Sequence, residues 1–235
     1  MIDFYYAPTP NGWKVGIMLE ECGLDYRLCR LHLSRGEQFA DSYLRISPNA
    51  KMPAIVDHDV EGDAVSVFES GAILIYLAEK TDQFIPSDAQ GRREMHQWMF
   101  WQVGNQGPMA GQLSHFVNYA PQGQDYSLQR YKGEYERNLA VLDNRLAARA
   151  YILGDYSIVD MIAFPWAFIA KPLTVSLESF PNVIDWRSRI KCRPAVIRAI
   201  DLCKAEQNRG EHNAENNALL FNQSADHLRG KKIDR

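Results

Sequence analysis

The stretch Asn49-Ala50-Lys51-Met52-Pro53-Ala54-Ile55-Val56-Asp57, followed by Val65-Ser66-Val67-Phe68-Glu69-Ser70-Gly71-Ala72-Ile73, decides the fold. An apolar run opens at a proline, turns through Asp57–Asp63 and returns as a short strand that leads straight into a helix. Proline has no N–H to give to a ladder, so Pro53 belongs at a strand edge, and it is a candidate for the cis isomer. A helix beginning at Ser70-Gly71 presents unpaired backbone N–H groups and the positive end of its dipole, which can hold a carboxylate. Glu69, one residue earlier, can hold an ammonium. A ligand carrying both groups, an α-amino acid end, satisfies the pair. Taken singly, each feature also suits a plain strand start or an ordinary helix cap.

Outward from that stretch, the first eighty residues alternate strand and helix. Ile2–Tyr6 reads as an apolar, aromatic strand, Pro8–Gly12 as a turn cluster, and Lys14–Cys22 as a helix stopped by Gly23. Asp25–Leu33 alternates as a second strand, and Gln38–Leu44 reads as a weak helix before the loop Ser47-Pro48-Asn49. With the proline-led strand, its return and a helix over Gly71–Glu79, the order β-α-β-α-β-β-α is that of a thioredoxin-like domain. This domain is expected over residues 1–80, with a polar linker over 81–91 and an all-helical domain over 92–205.

Within the helical part, Arg92–Val103 and Tyr126–Ala150 carry amphipathic patterns. Phe100, Trp101, Phe116, Trp166 and Phe168 read mostly as core. The glycines of Gly104–Gly111 form no phosphate loop, because no strand precedes them and no Lys-Ser/Thr ending follows; a bend or close helix packing suits them better. Ser157 with Asp160 three residues on is an acidic relative of the capping box, and Tyr156 and Met161 are spaced for a hydrophobic staple. Residues 206–235 read as a polar, Asn-rich tail in which only Leu219-Leu220-Phe221 could dock.

A net charge of −3 at pH 7 over 235 residues offers no basic face for nucleic acid. No run of about 18 apolar residues is present, and no membrane association is expected. Met1-Ile2-Asp3-Phe4 leads into a strand rather than a signal peptide, so a cytoplasmic protein is expected. Cys22, Cys29, Cys192 and Cys203 show neither C-x-x-C nor zinc spacing and read as buried or incidental thiols. The six histidines form no paired-ligand pattern, so no metal is expected.

In a thioredoxin-like domain the loop after the first strand carries the reactive group, and redox members place C-x-x-C there. Here the loop is Ala7-Pro8-Thr9-Pro10-Asn11-Gly12, without a thiol. Sulfur chemistry at this position must therefore use a thiol brought by the ligand. The Thr9 hydroxyl and the Asn11 amide can donate to a thiolate near the positive end of a helix dipole. The same two residues also suit the shaping of a Pro-rich turn.

Together these runs, with Arg45-Ile46-Ser47-Pro48-Asn49 leading into Lys51-Met52-Pro53-Ala54, resemble the glutathione transferase superfamily over about residues 1–200. They are most similar to its nu class, a bacterial branch of glutathione-dependent disulfide-bond oxidoreductases related to the fungal nitrogen regulator. The resemblance implies the glutathione transferase fold, a homodimer, and glutathione as co-substrate without metal. It implies that Glu69 and Ser70 hold the γ-glutamyl end, and that the backbone of Met52, before Pro53, pairs with the cysteinyl part like an added strand. Gln38 and Lys51 would reach the glycine carboxylate, while Thr9 and Asn11 would face the sulfur as catalytic groups. Arg130, in Gln129-Arg130-Tyr131, would reach a second glutathione in the partner subunit. The implied reaction is reduction of small disulfides. Conjugation of glutathione to electrophiles would use the same first site, and a non-catalytic regulatory module on this fold is a third reading.

Overall fold

The computed structural model describes residues 1–203, 220 and 224–228. The expectations for the tail over 206–235 and its Leu219-Leu220-Phe221 anchor therefore lie outside the described residues, except at 220 and 224–228. The chain divides into two compact units: residues 1–73 with the described residues from 198 onward, and residues 74–197.

The first unit holds β1 (Ile2–Tyr6), α1 (Pro10–Cys22), β2 (Tyr26–Arg30), α2 (Asp41–Leu44), β3 (Ala54–Asp57), β4 (Val65–Phe68) and the first turn of α3 (Ser70–Thr81). The sheet order is β2-β1-β3-β4. β1 runs parallel to β2 and antiparallel to β3, and β3 runs antiparallel to β4. A parallel pair requires a crossover, which α1 supplies, whereas β3 and β4 need only a short turn. This is the thioredoxin-like arrangement. Ile2, Phe4 and Tyr6 of the central strand are buried with Val15, Ile17, Met18 and Leu19 of α1.

Local chemistry moves several boundaries from those the periodicity predicts. α1 starts at Pro10 rather than Lys14: Thr9 caps it by accepting from the Gly12 N–H at 3.4 Å, and Pro10 occupies the first position, where no N–H is needed. Gly23 ends the helix in the left-handed region at φ 61°. β2 stops at Arg30, not Leu33, because Leu33–Arg35 tightens into a 3-10 turn closed by Gly36 at φ 73°. The helix expected over 38–44 is instead a second 3-10 turn, Glu37–Phe39, and the single-turn α2, separated by an extended Ala40.

Among the described residues the second unit is helical: the remainder of α3, α4 (Ala89–Trp101), a π-helical turn (Gln102–Gln106), α5 (Gly107–Asn118), α6 (Asp125–Leu146), α7 (Ile158–Phe168), α8 (Pro181–Lys191) and the start of α9 (Pro194–Asp201). The expected capping box opens the buried α7. The Ser157 hydroxyl accepts from the Val159 N–H, and the Asp160 carboxylate accepts from the Ser157 N–H at 3.0 Å. Asp160 also accepts from the Ile152 N–H and from Trp186 Nε1 at 2.8 Å; burial pushes its carboxyl up to about 6 against the pull of these donors.

In the glycine segment Gly107 is closely packed, whereas Gly104 has nothing within 4 Å of an added Cβ and Gly111 only ordinary contact. A Cβ on Gly107 would come within 3.1 Å of Gln102 Nε2, and one on Gly111 within 3.7 Å of Trp166. Trp166 is core, but Phe100 is not: its side chain is 69% exposed on α4. None of the four cysteines forms a disulfide; Cys192 is exposed and the other three are half-buried, so none is a core thiol. No described helix is long and apolar enough to cross a membrane.

Candidate active site

Three chain segments of the first unit meet where β1, β3 and β4 hand over to loops and helices. At the first, Thr9 is the N-cap of α1 and Asn11 its second residue. The Thr9 hydroxyl, while accepting from Gly12, donates to Met52 Sδ at 3.4 Å. This bond ties the first turn to the second segment, Lys51-Met52-Pro53, whose Met52-Pro53 peptide is cis. Gly12 lets the two approach. A Cβ there would fall on the Ala7 carbonyl oxygen and lie 2.9 Å from Met52 Cε, so no larger residue fits.

The second segment is fixed by hydroxyls that sequence reasoning did not single out. Tyr43 Oη and Ser47 Oγ, both buried, each donate to the Lys51 carbonyl at 2.8 Å. In a planar trans peptide the C=O and the following N–H point in opposite directions. Holding the Lys51 carbonyl inward therefore turns the Met52 N–H outward, where an extended ligand backbone can accept from it. The Lys51 side chain is exposed.

The third segment is the junction of β4 and α3. Glu69 is exposed and adopts φ 69°, in the left-handed region that favours glycine, and its carbonyl accepts from the Ile73 N–H at 2.9 Å. Such a conformation persists only where its surroundings enforce it. Ser70, 8% exposed, begins the helix. Behind it lies a residue the sequence reading passed over. Lys14 of α1, only 3% exposed, donates from Nζ to Ser70 Oγ at 3.4 Å. Burial pushes the Lys14 ammonium down to about 7, although the nearby Glu69 carboxylate pulls the other way. The available signal was a single lysine between Trp13 and Val15, in a helix whose other residues from Gly12 to Leu19 are all apolar or glycine and all buried.

Thr9, Asn11, Met52, Pro53, Glu69 and Ser70 thus share one unit, linked through the Thr9–Met52 and Lys14–Ser70 bonds. Gln38 lies in the 3-10 turn Glu37–Phe39, 1% exposed, and its amide oxygen has no hydrogen-bond partner. Arg130 belongs to the helical unit, on α6, where it faces Glu134 at 3.9 Å. Among the described residues no group of three or more His, Cys, Asp or Glu could hold a metal ion. The arrangement offers a clamp for an amino acid end, an outward N–H for an extended backbone, and a hydroxyl that already bonds a sulfur atom.

Residues 2–79 match the family model for the N-terminal domain of glutathione S-transferase, and residues 109–194 match that for its C-terminal domain. The disulfide-bond oxidoreductase YfcG of Escherichia coli is 47% identical over 203 residues, spanning 85% of this chain and 94% of that protein. A glutathione transferase from Burkholderia graminis, solved with two glutathione molecules bound per subunit, has a TM-score of 0.80 at 43% identity and covers 89% of each chain. Another from Pseudomonas putida, solved with one glutathione disulfide bound per subunit, has a TM-score of 0.82 at 36% identity, over 86% of this chain and 91% of that one.

Proposed function

Since the chain belongs to the glutathione S-transferase family, we propose that it is a glutathione-dependent disulfide-bond oxidoreductase that reduces small disulfides. In this reading residues 1–80 bind glutathione. Glu69 takes the ligand's ammonium and Ser70 with the start of α3 its carboxylate, the Met52 backbone pairs with the cysteinyl part, Gln38 and Lys51 reach the glycine carboxylate, and Thr9 and Asn11 donate to the sulfur. The observation that carries the reading is the Thr9 hydroxyl: in a first turn without cysteine, it bonds a sulfur beside the cis-proline. A glutathione thiolate placed there attacks one sulfur of a disulfide, forming a mixed disulfide and expelling the other sulfur as a thiolate, which takes up a proton. A second glutathione thiolate then attacks the glutathione sulfur of the mixed disulfide. Glutathione disulfide forms and the second substrate thiolate leaves.

Magnitudes favour positioning over activation. A thiol of pKa about 8.5 is roughly 3% ionised at pH 7, and lowering that pKa by about two units gains roughly 25-fold in thiolate. Nucleophilicity falls by roughly 6- to 10-fold at the same time, so the net gain is a few-fold. Holding two sulfurs in line is worth far more through effective molarity. Two glutathiones or one glutathione disulfide in the related structures support a site for two sulfurs.

Asn11→Ala is expected to lower the reduction of hydroxyethyl disulfide at least about 10-fold, by removing a donor to the attacking sulfur. Conjugation of an aryl halide much faster than hydroxyethyl disulfide reduction in the wild type would establish the transferase activity instead. The exposed Phe100 and Tyr126 of the helical unit support assembly as a homodimer, in which Arg130 would serve a partner's second glutathione. Four cysteines outside any disulfide suit a reducing, cytoplasmic location.

A further inference from the structure

A lysine buried in a small domain calls for a reason, because an apolar residue of the same length would fill the space without the cost of desolvating a charge. Lys14 is such a residue, and its Nζ donates to Ser70 Oγ at 3.4 Å. An ammonium has three hydrogens and no lone pair, whereas a serine hydroxyl has one hydrogen and two lone pairs. While Lys14 is charged, Ser70 can only accept from it, and the hydroxyl hydrogen is left to point elsewhere. A bound carboxylate, which has acceptors alone, needs that hydrogen. Once Lys14 loses its proton, the amine can accept from Ser70; the hydroxyl then turns inward and presents a lone pair to the carboxylate.

We propose that Lys14 is a positioning residue that sets the hydrogen-bond polarity of Ser70, so that the site takes the α-carboxylate of its amino acid ligand only while Lys14 carries its proton. The inference rests on the glutathione reading of the Glu69–Ser70 clamp and adds to it a proton-linked residue that never touches the ligand. Among the described groups, the Glu69 carboxylate favours the charged lysine and burial opposes it, which leaves the ammonium poised near neutrality. A ligand carboxylate arriving at Ser70 tips that balance towards the charged form. Binding therefore takes up a proton in the fraction of molecules that lacked it.

The test is calorimetric titration with S-methylglutathione, which has the amino acid end but no ionisable thiol, in buffers of different ionisation enthalpy between pH 6 and 8.5. In the wild type, affinity should fall roughly 10-fold or more from pH 6 to 8.5, with proton uptake rising above pH 7, as a site poised near neutrality requires. Lys14→Met leaves the Ser70 hydrogen free at every pH and should flatten the fall in affinity from pH 6 to 8.5, apart from that of the ligand's own amino group. It should also abolish the uptake beyond that of the ligand's own amino group, which both proteins share. Ser70→Ala keeps Lys14 and should lose the same uptake, so the inference stays testable should Lys14→Met fail to fold. An equal fall in affinity with pH and equal proton uptake in the wild type and folded Lys14→Met overturn the Lys14 role alone. Uptake undiminished in Ser70→Ala overturns the route through the hydroxyl. Failure of the wild type to bind S-methylglutathione at millimolar concentration overturns the glutathione reading together with this one.

Discussion

Thr9 performs two tasks with one hydroxyl: its oxygen accepts from the Gly12 N–H, and its hydrogen goes to Met52 Sδ. Thr9→Val should therefore lower stability by about 1 kcal/mol, the usual worth of a cap, and slow disulfide reduction, whereas Thr9→Ser should preserve both; thermal unfolding and initial rates check the pair. Lys14 makes a separate prediction for stability. Its ammonium titrates near 10.5 ordinarily and near 7 in the fold, so between those values the unfolded chain binds more protons and stability rises with pH. Below pH 7 the buried charge costs the native state on the order of a few kcal/mol. Lys14→Met should accordingly be more stable than the wild type at pH 6.5, with the advantage shrinking towards pH 10, as read from urea midpoints. The helix start at Ser70 was legible in the sequence because its signal is local. Lys14 was not, since its partner Ser70 is 56 positions distant and only the folded sheet brings them together. The roles of Tyr43 and Ser47 stayed hidden for a related reason: nothing in a local pattern tells a hydroxyl that holds a carbonyl from one that faces water.

Among the elements, α7 depends most on a single side chain. Each Asp160 oxygen accepts two donors: Oδ1 from the Ile152 N–H and Trp186 Nε1, Oδ2 from the Ser157 N–H and Ser157 Oγ. Asp160→Asn would set an NH₂ against two of these donors in a dry site. The expected loss is about 2–4 kcal/mol, a buried network broken on one side, measured by denaturant unfolding, with glutathione affinity retained in the protein that remains folded. The capping box was readable because its residues are three apart. The π-helical turn was not, because glycine-rich sequence fits a bend as well as a continuous helix. The strand–helix order of the first unit was legible from short apolar runs between Gly and Pro signals. Its details between 33 and 44 were not, since an extended Ala40 splits a helical pattern without any marker of its own.

At the scale of the whole molecule, the proposed homodimer should sediment at twice 26.9 kDa. Phe100→Glu, a charge on a side chain 69% exposed, should shift the protein towards the monomer without unfolding it, as sedimentation equilibrium and circular dichroism would record. The first unit is also built from both ends of the chain. Tyr6 Oη donates to the Leu202 carbonyl, Gly16 lies against Ala199 and Leu202, and Glu20 pairs with Arg198. During synthesis, residues 1–73 leave the ribosome long before Arg198 exists. At about 5–20 residues per second that interval is roughly 6–25 s. Throughout it, β1 and α1 wait with the surface meant for Leu202 still uncovered and open to off-pathway association.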